Sequence, residues 1–400
     1  MRRGAQWQGR YDVVIAGASF AGLATALQLR GRVLVLDHQP VGTGQTSACG
    51  TTLTALTALG AGHTVQQVHQ DLVLHLTPGR GPARRLTYRL PYAFCTFDYA
   101  ALCRTLAGRA AERGVSFARA RATGWADGAL LTDRGPVEAD LVVDATGWRA
   151  AVASAIDPAY VHRERLSCGL EVELPQPATN RAQGLHFWAG QGTVWPGYAW
   201  SFPCGATSRL GVIAYAERGG ATSKDLRELL DAFLDGPGAD YWSAEGDRSW
   251  RPGGDTPTQG SPTQGSPTRG RHLHGGFLPC APRRPVVGPV LVVGDAAGQC
   301  LGLTGEGIRP ALTFAVRCGQ LIQETLEGRR SAAEARAAYR RYVTLRLPYL
   351  RLMGALQGAM SRMSDTGLTR YCVSAYPGVV FRFLMGQYRL PADPAPLLKS

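Results

Sequence analysis

Gly17-Ala-Ser19-Phe-Ala21-Gly22 stands between an apolar run, YDVVIAG (11–17), and an alanine- and leucine-rich stretch, FAGLATALQLR (20–30). The run reads as a buried parallel strand and the stretch as the helix after it. A glycine turn at such a junction lets backbone approach a pyrophosphate at the helix N-terminus. Ser19 takes the middle position usual for glycine; it is small enough for that approach, and its hydroxyl can donate to phosphate. Asp37 ends the next strand, RVLVLD (32–37), where a carboxylate meets the hydroxyls of an adenosine ribose. The glycines alone also suit a tight strand-to-helix turn in any α/β protein. Asp37 at this spacing favours the dinucleotide.

Two further strand-to-turn junctions repeat the pattern. DLVVDATGW (140–148) brings Gly147 to a strand end, and VLVVGDAAG (290–298) brings Gly294 and Asp295 to another. GLTGEGI (302–308), with Gly305, Glu306 and Gly307, leads into a helix expected from about Thr304 to Leu326. Between Gly197 and Val212 the chain reads GYAWSFPCGATSRLGV, with Tyr198, Trp200 and Phe202 at every second position, closed by Pro203. On a strand those three rings share one face, opposite the small Ala199 and Ser201. Such a face is either ordinary core or the wall of a binding cavity.

Strands at both ends of the chain, each with a glycine turn after it, argue for one doubly wound sheet. The spacing predicts a discontinuous sheet domain over 1–60, 95–160 and 283–330, with 61–94 and 161–282 as an inserted second layer. Residues 99–114 read as a helix, and 331–400 as a C-terminal helical region bent near Pro348. PGGDTPTQGSPTQGSPTRG (252–270) is too polar and too rich in Gly and Pro to offset its ordering entropy, and reads as a disordered loop.

An apolar fraction of 45% over 400 residues fits a globular chain with a sizeable core. The net charge of +13 favours an anionic partner, yet only two of the 43 basic residues are lysines, Lys224 and Lys399. Nine cysteines at irregular spacing make neither a disulfide framework nor a zinc motif, and point to a reducing cytoplasm. No metal is implied by the scattered histidines. No apolar stretch is long enough to span a bilayer. The arginines set among apolar residues near the C-terminus (VTLRLPYLRLMG, VVFRFLMG) suit peripheral contact with anionic lipid, or else a solvated helix face. No nucleic-acid-binding motif is present.

Taken in order, these motifs resemble the flavoprotein group that contains aromatic hydroxylases, flavin-dependent halogenases, geranylgeranyl reductases and lycopene cyclases. The resemblance implies FAD, held at Gly17, Ser19, Ala21, Gly22, Asp37, Gly147, Gly294, Asp295, Gly305 and Gly307. It implies that Asp295 holds the ribityl chain and that the helix after GLTGEG starts beside the N1/C2 edge of the flavin. There a helix N-terminus stabilises the charge of the reduced ring. Within the group, GYAWSFP with Gly211, and TSACGTTL around Cys49, are most similar to the geranylgeranyl reductases. The arginine usual a few residues ahead of Phe97-Asp98 is missing; Cys95 and Thr96 stand in that region.

The expected architecture is therefore α/β: a Rossmann-like FAD-binding domain, an inserted α+β substrate domain with a mixed sheet, and a C-terminal helical segment. The expected activity is on C=C bonds of a long polyprenyl substrate, with hydride from reduced flavin and a proton from a nearby acid. Tyr198, Trp200, Phe202 and Pro203 are the expected substrate wall. Cys49 either protonates or positions the substrate, as the resemblance implies, or is a small buried hydrophobe; an ordinary thiol is a weak acid for this task. Glu306 is either a stronger acid than that thiol, kept protonated if burial raises its pKa, or a carboxylate stabilising the first turn of a helix. A second dinucleotide motif is absent, so NAD(P)H docks transiently or another donor serves. The alternatives are a lycopene β-cyclase using reduced FAD in a redox-neutral closure, with Glu217 as its nearest candidate acid, and an FAD-dependent monooxygenase. A non-enzymatic, lipid-tethering chain with a vestigial flavin site is a further reading. The early lysine that halogenases need is absent.

Overall fold

The computed structural model of the protein describes residues 7, 9–176, 183–215, 223–242 and 273–374. The expected disordered loop 252–270, Glu217, Lys399 and the VVFRFLMG segment lie outside the described residues.

Val13, Val14 and Ile15 are apolar in succession because both faces of their strand are covered. This strand, β1 (Tyr11–Ala16), lies between β2 (Val33–Asp37) and β9 (Val137–Asp144), parallel to both. Outside them, also parallel, run β6 (Ser116–Arg119) and β16 (Val290–Val292), the latter paired with the short antiparallel β15 (Val286–Val287). A hairpin of β7 (Ala122–Ala126) and β8 (Ala129–Thr132) extends from β9. One face carries α1 (Phe20–Ala26), α3 (Tyr99–Ala111) and α6 (Ile308–Leu326); α4 (Ala151–Ile156) packs on the other.

The helix after β1 is shorter than its periodicity predicts. Gln28 and Leu29 donate backward by only three residues, to Thr25 and Ala26, and tighten the chain into the turn at Gly31. Gly31 has φ +132°, and the Asp12 carboxylate accepts from the Arg32 N–H beside it at 2.8 Å. The helix expected from Thr304 starts four residues later, because Gly305 adopts φ +64° and a Leu301–Glu306 bridge closes the preceding loop.

The second sheet runs in the order β14 (Leu273–Pro279), β10 (Leu166–Pro175), β13 (Thr207–Ala214), β12 (Val194–Cys204), β11 (Leu185–Gly190), β4 (Val65–Leu76), β5 (Arg84–Phe97), β3 (Gly50–Thr52). β5 crosses the expected boundary at 95, and β3 joins this sheet from within 1–60. α2 (Leu53–Ala58) follows β3. β12 does not stop at Pro203 but continues to Cys204, where a tight turn leads to β13.

Alternation assigns the two faces of this sheet. Val172, Leu174, Trp188, Ala199, Leu210 and Val212 point to α5 (Ser223–Asp235), forming a core with Leu226, Leu230 and Phe233. The opposite face turns toward the first sheet. Beyond α6 the chain makes α7 (Ala332–Thr344), α8 (Leu347–Met360) and α9 (Asp365–Ser374). Ser331 and Glu334 form a capping box on α7. Pro348 does not bend one helix; it sits in the first turn of α8, where its missing N–H costs nothing.

Under α5, His186 Nδ1 lies 3.0 Å from His75 Nε2, and His75 stacks on Trp188 at 4.5 Å. Burial lowers both histidines from 6.5 to about 4. Their folded pKa values are depressed, so their contribution to stability is full above about pH 6.5 and is lost as pH falls through about 4. For the fully buried His186 the effect is on the order of 3 kcal/mol. Unfolding midpoints of His186→Gln and the parent chain, compared from pH 8 to about 4, should converge in acid. A constant gap would disprove the assignment.

Candidate functional site

The cofactor-binding candidates meet at the carboxyl ends of the parallel strands, on either side of β1. Gly17 has φ +109°, and a Cβ there would lie 2.2 Å from the Ala145 carbonyl oxygen, so the β1 and β9 turns touch through a position only glycine fills. Asp37 Oδ2 accepts from the Ala18 N–H at 2.7 Å and its Oδ1 from Gln39 N–H at 2.9 Å, which holds the carboxylate across the glycine turn. Ser19 precedes the first turn of α1, and its hydroxyl accepts from Tyr99 at 3.2 Å. Ala21 lies directly against Gly294, where an added Cβ would come within 2.7 Å of the alanine methyl.

Two aspartates divide the remaining work. Asp144 is fully buried and accepts from Thr146 N–H and Oγ1 and from the Val152 and Ala153 N–H groups. It builds the turn that puts Gly147 at φ +74°, with open space where a Cβ would be. Burial pushes its pKa up against those hydrogen bonds. Asp295 differs: its carboxylate makes no hydrogen bond among the described residues, and burial, opposed by Arg283, raises it to about 6. Its Oδ1 sits 3.3 Å from where a Gly307 Cβ would be, beside the N-terminus of the 19-residue α6. An acceptor lacking a protein partner, at a helix start and among glycine turns, fits a dinucleotide carrying a polyol chain.

The ring-bearing face of β12 looks toward this region, away from α5. Tyr198 OH donates to the Thr304 carbonyl at 2.5 Å, and Tyr215 OH to Leu303 at 2.8 Å, so both tyrosines anchor the loop that precedes α6. Gly305 leaves the room: a Cβ there would lie 3.0 Å from the Tyr198 oxygen. Trp200 is 6.0 Å from Tyr198 and 6.4 Å from Phe202, and Phe187 of β11 packs edge-on to Tyr198 and Phe202. Trp200 is buried, whereas Tyr198 and Phe202 are half-buried. Pro203 presents its carbonyl to Thr96 Oγ1 at 2.7 Å.

Cys49 is fully buried, at φ +53° in the turn before β3, and its thiol donates to the Ser47 carbonyl. Burial pushes the thiol well above its usual range. That makes it a weak acid and a poor thiolate. Glu306 gives both oxygens to Arg309, in the first turn of α6, at 3.0 and 3.2 Å. This pair clamps the helix start.

Sequence reasoning missed three charged side chains on the same face of the second sheet: Glu171, Glu173 and Arg209. Arg209 is 2% exposed, and its N–H groups reach Glu173, the Ala48 and Phe97 carbonyls, and Gln66. It ties the second sheet to the turn at Cys49. Glu171 is 3% exposed and accepts from Trp200 Nε1 at 2.8 Å. The signal was the alternation in GLEVELP, which reads as a solvent-facing stripe until a second layer covers it.

Two cavities lie in this region, one against Glu173 and Arg209 and the other against Tyr215. One of about 400 Å³ lies among Gly42, Gln45, Tyr99, Glu173, Arg209 and His274. The other, about 760 Å³, is bounded by Tyr215, Cys280, Pro282, Leu350 and Arg351. Among the described residues no cluster of three or more His, Cys, Asp or Glu side chains could hold a metal ion.

No protein-family model matches the chain. A digeranylgeranylglycerophospholipid reductase of Methanothermobacter thermautotrophicus is 25% identical over 345 residues, 80% of either chain. A geranylgeranyl bacteriochlorophyll reductase-like protein of Thermoplasma acidophilum superposes with a TM-score of 0.72 at 17% identity, covering 94% of this chain and 98% of that one. A flavin-dependent brominase gives 0.68 at 15% identity, with 94% of each chain covered. A probable FAD-dependent monooxygenase of Pseudomonas aeruginosa gives 0.63 at 17%, over 90% of this chain and 99% of that one. The fold is thus one found in a reductase-like protein, a brominase and a probable monooxygenase, while the sequence likeness is to a reductase. The similarity is, in sequence, to a digeranylgeranylglycerophospholipid reductase and, in fold, to a geranylgeranyl reductase-like protein and to flavin-dependent enzymes.

Proposed function

We propose that the protein holds FAD at the carboxyl ends of its parallel strands and reduces C=C bonds of a long polyprenyl substrate. The observation that carries this reading is the aromatic face of β12, which closes over the loop before α6 instead of over α5. Bound and reduced, FAD supplies hydride. Asp37, Ser19 and the Gly17 turn would hold its adenosine and pyrophosphate, and Asp295 its polyol chain. The start of α6 would stabilise negative charge at the ring.

Tyr198, Phe202 and Phe187 would align the alkene and keep water out, which is what a low-polarity hydride transfer requires. The 760 Å³ cavity, lined by Cys280, Pro282 and Leu350 together with Arg165, Arg351 and Arg362, lies next to Tyr215, whose ring is 6.0 Å from that of Tyr198. The electron donor would be NAD(P)H docking transiently, or another small reductant. Among the described residues no helix is long and apolar enough to cross a membrane; contact of the basic C-terminal segment with an anionic lipid surface would bring the substrate within reach.

The test is anaerobic. The flavin-loaded protein is chemically reduced and offered a geranylgeranyl lipid and lycopene separately, with mass spectrometry of the products. Gain of two hydrogens per saturated bond is the expected result. An isomer of lycopene with unchanged mass would replace the reading with a cyclase, and no change in either substrate would move oxygen chemistry forward.

A further inference from the structure

Glu171, Gly211 and Trp200 stand in a row across three strands. Glu171 of β10 faces Gly211 of β13, and Gly211 faces Trp200 of β12. Because Gly211 has no side chain, the indole lies flat across it: an added Cβ would come within 2.2 Å of the Trp200 ring. The indole N–H thereby reaches past one strand and donates to Glu171 Oε2 at 2.8 Å.

That bond decides where a proton sits. Oε2 is occupied as an acceptor, so a neutral Glu171 carries its hydrogen on Oε1. Oε1 is buried and has no hydrogen-bond partner. Arg209, a cation that acts on Glu171 by charge, directs its N–H groups to Glu173, Ala48, Phe97 and Gln66 and makes no hydrogen bond to Glu171. A buried acid with an unclaimed O–H on the ring-bearing face is the kind of group an alkene reduction requires in addition to a hydride.

We infer that Glu171, from its Oε1, is the proton donor of the reduction proposed above, a role that rests on that reading. One alkene carbon takes the hydride supplied by the reduced cofactor. The other takes the proton as the Oε1–H bond breaks. The carboxylate left behind keeps the Trp200 N–H and the nearby charge of Arg209, and is reprotonated by water between turnovers. Glu306, held at both oxygens by Arg309, and Cys49, with its thiol pushed up by burial, are poorer donors.

The groups facing Glu171 are Glu173 on its own strand, Arg209 on β13, His274 opposite it on β14, and the thiols of Cys49 and Cys204. Burial lifts Glu171 to about 7, against the pull of Arg209 and the Trp200 hydrogen bond. The acid is therefore charged with its proton below about pH 7 and loses it above.

Infrared difference spectra of the flavin-loaded protein should contain a protonated-carboxyl band that disappears with a midpoint near 7 and is absent in Glu171→Gln. Trp200→Phe removes the donor to Oε2 and should move that midpoint upward. Glu171→Gln retains an acceptor for the indole but no transferable proton. Its kcat should fall about 100-fold or more while KM changes little, with part of the rate restored in Glu171→Asp. A Glu171→Gln enzyme within about threefold of wild type on a substrate that wild type saturates would overturn the assignment and leave the reduction standing. Absence of the titrating band would overturn it independently of turnover. If wild type saturates no polyprenyl substrate while the band titrates as expected, the reading of the reaction has failed, and the donor role falls with it.

Discussion

Gly17→Val yields protein that does not retain FAD and is destabilised by more than about 3 kcal/mol. Two independent penalties coincide at this residue. Its φ of +109° is a conformation that β-branched residues avoid, and a Cβ would stand 2.2 Å from the Ala145 carbonyl. Relief requires the β1 and β9 turns to separate, and those turns carry the proposed pyrophosphate site together with Gly147. The measurement is flavin absorbance of the purified protein together with its unfolding midpoint. Asp295→Ala is the companion variant: its carboxylate makes no hydrogen bond among the described residues, so the fold should survive. Flavin retention should weaken by about 10- to 100-fold, the worth of hydrogen bonds to a charged group. A yellow Gly17→Val protein as stable as its parent would refute the cradle.

Gly211→Ala carries the second large effect, from one methyl group. The added carbon meets the Trp200 ring at 2.2 Å and backbone movement is restrained by β10 and β12 on either side. Trp200 must rotate away, which breaks its bond to Glu171 and leaves both groups buried. Overpacking costs about 1–3 kcal/mol, and an unpaired buried partner adds a similar amount. The expected outcome is a loss of about 3 kcal/mol in denaturant unfolding, with altered tryptophan fluorescence. Adding Trp200→Leu to Gly211→Ala should recover part of the loss, because the clash then has no ring to strike. Strict additivity of the two changes would show that indole and glycine do not meet.

The parallel strands and their glycine turns were legible because each is a local matter. Val13–Ile15 announces a strand covered on both sides, and Gly17 and Gly294 mark the turns at strand ends. Asp37 follows from strand length alone. Helix limits were less legible: α1 ends early and α6 starts late because Gly31, Gly305 and the Leu301–Glu306 bridge bend the chain there. The sequence left two readings open for each of Glu306 and Cys49, because their partners come from the tertiary structure. Glu306 found Arg309 one turn away, and Cys49 was drawn under Arg209 by contacts from β13, more than 150 residues distant.

The alternation in GYAWSFP determined that Tyr198, Trp200 and Phe202 share a face, since successive side chains on a strand point oppositely. It did not determine what that face meets. Only the packing of α5 on one side and the pre-α6 loop on the other decided that the rings look toward the proposed cofactor. The same alternation in GLEVELP put Glu171 and Glu173 on one face and left open whether water or protein covers it. The tertiary structure covers it, and burial turns an ordinary surface-type pattern into a carboxyl held near pH 7. Periodicity divides a strand into two faces, but desolvation, which sets the chemistry of each face, belongs to residues far away in the chain.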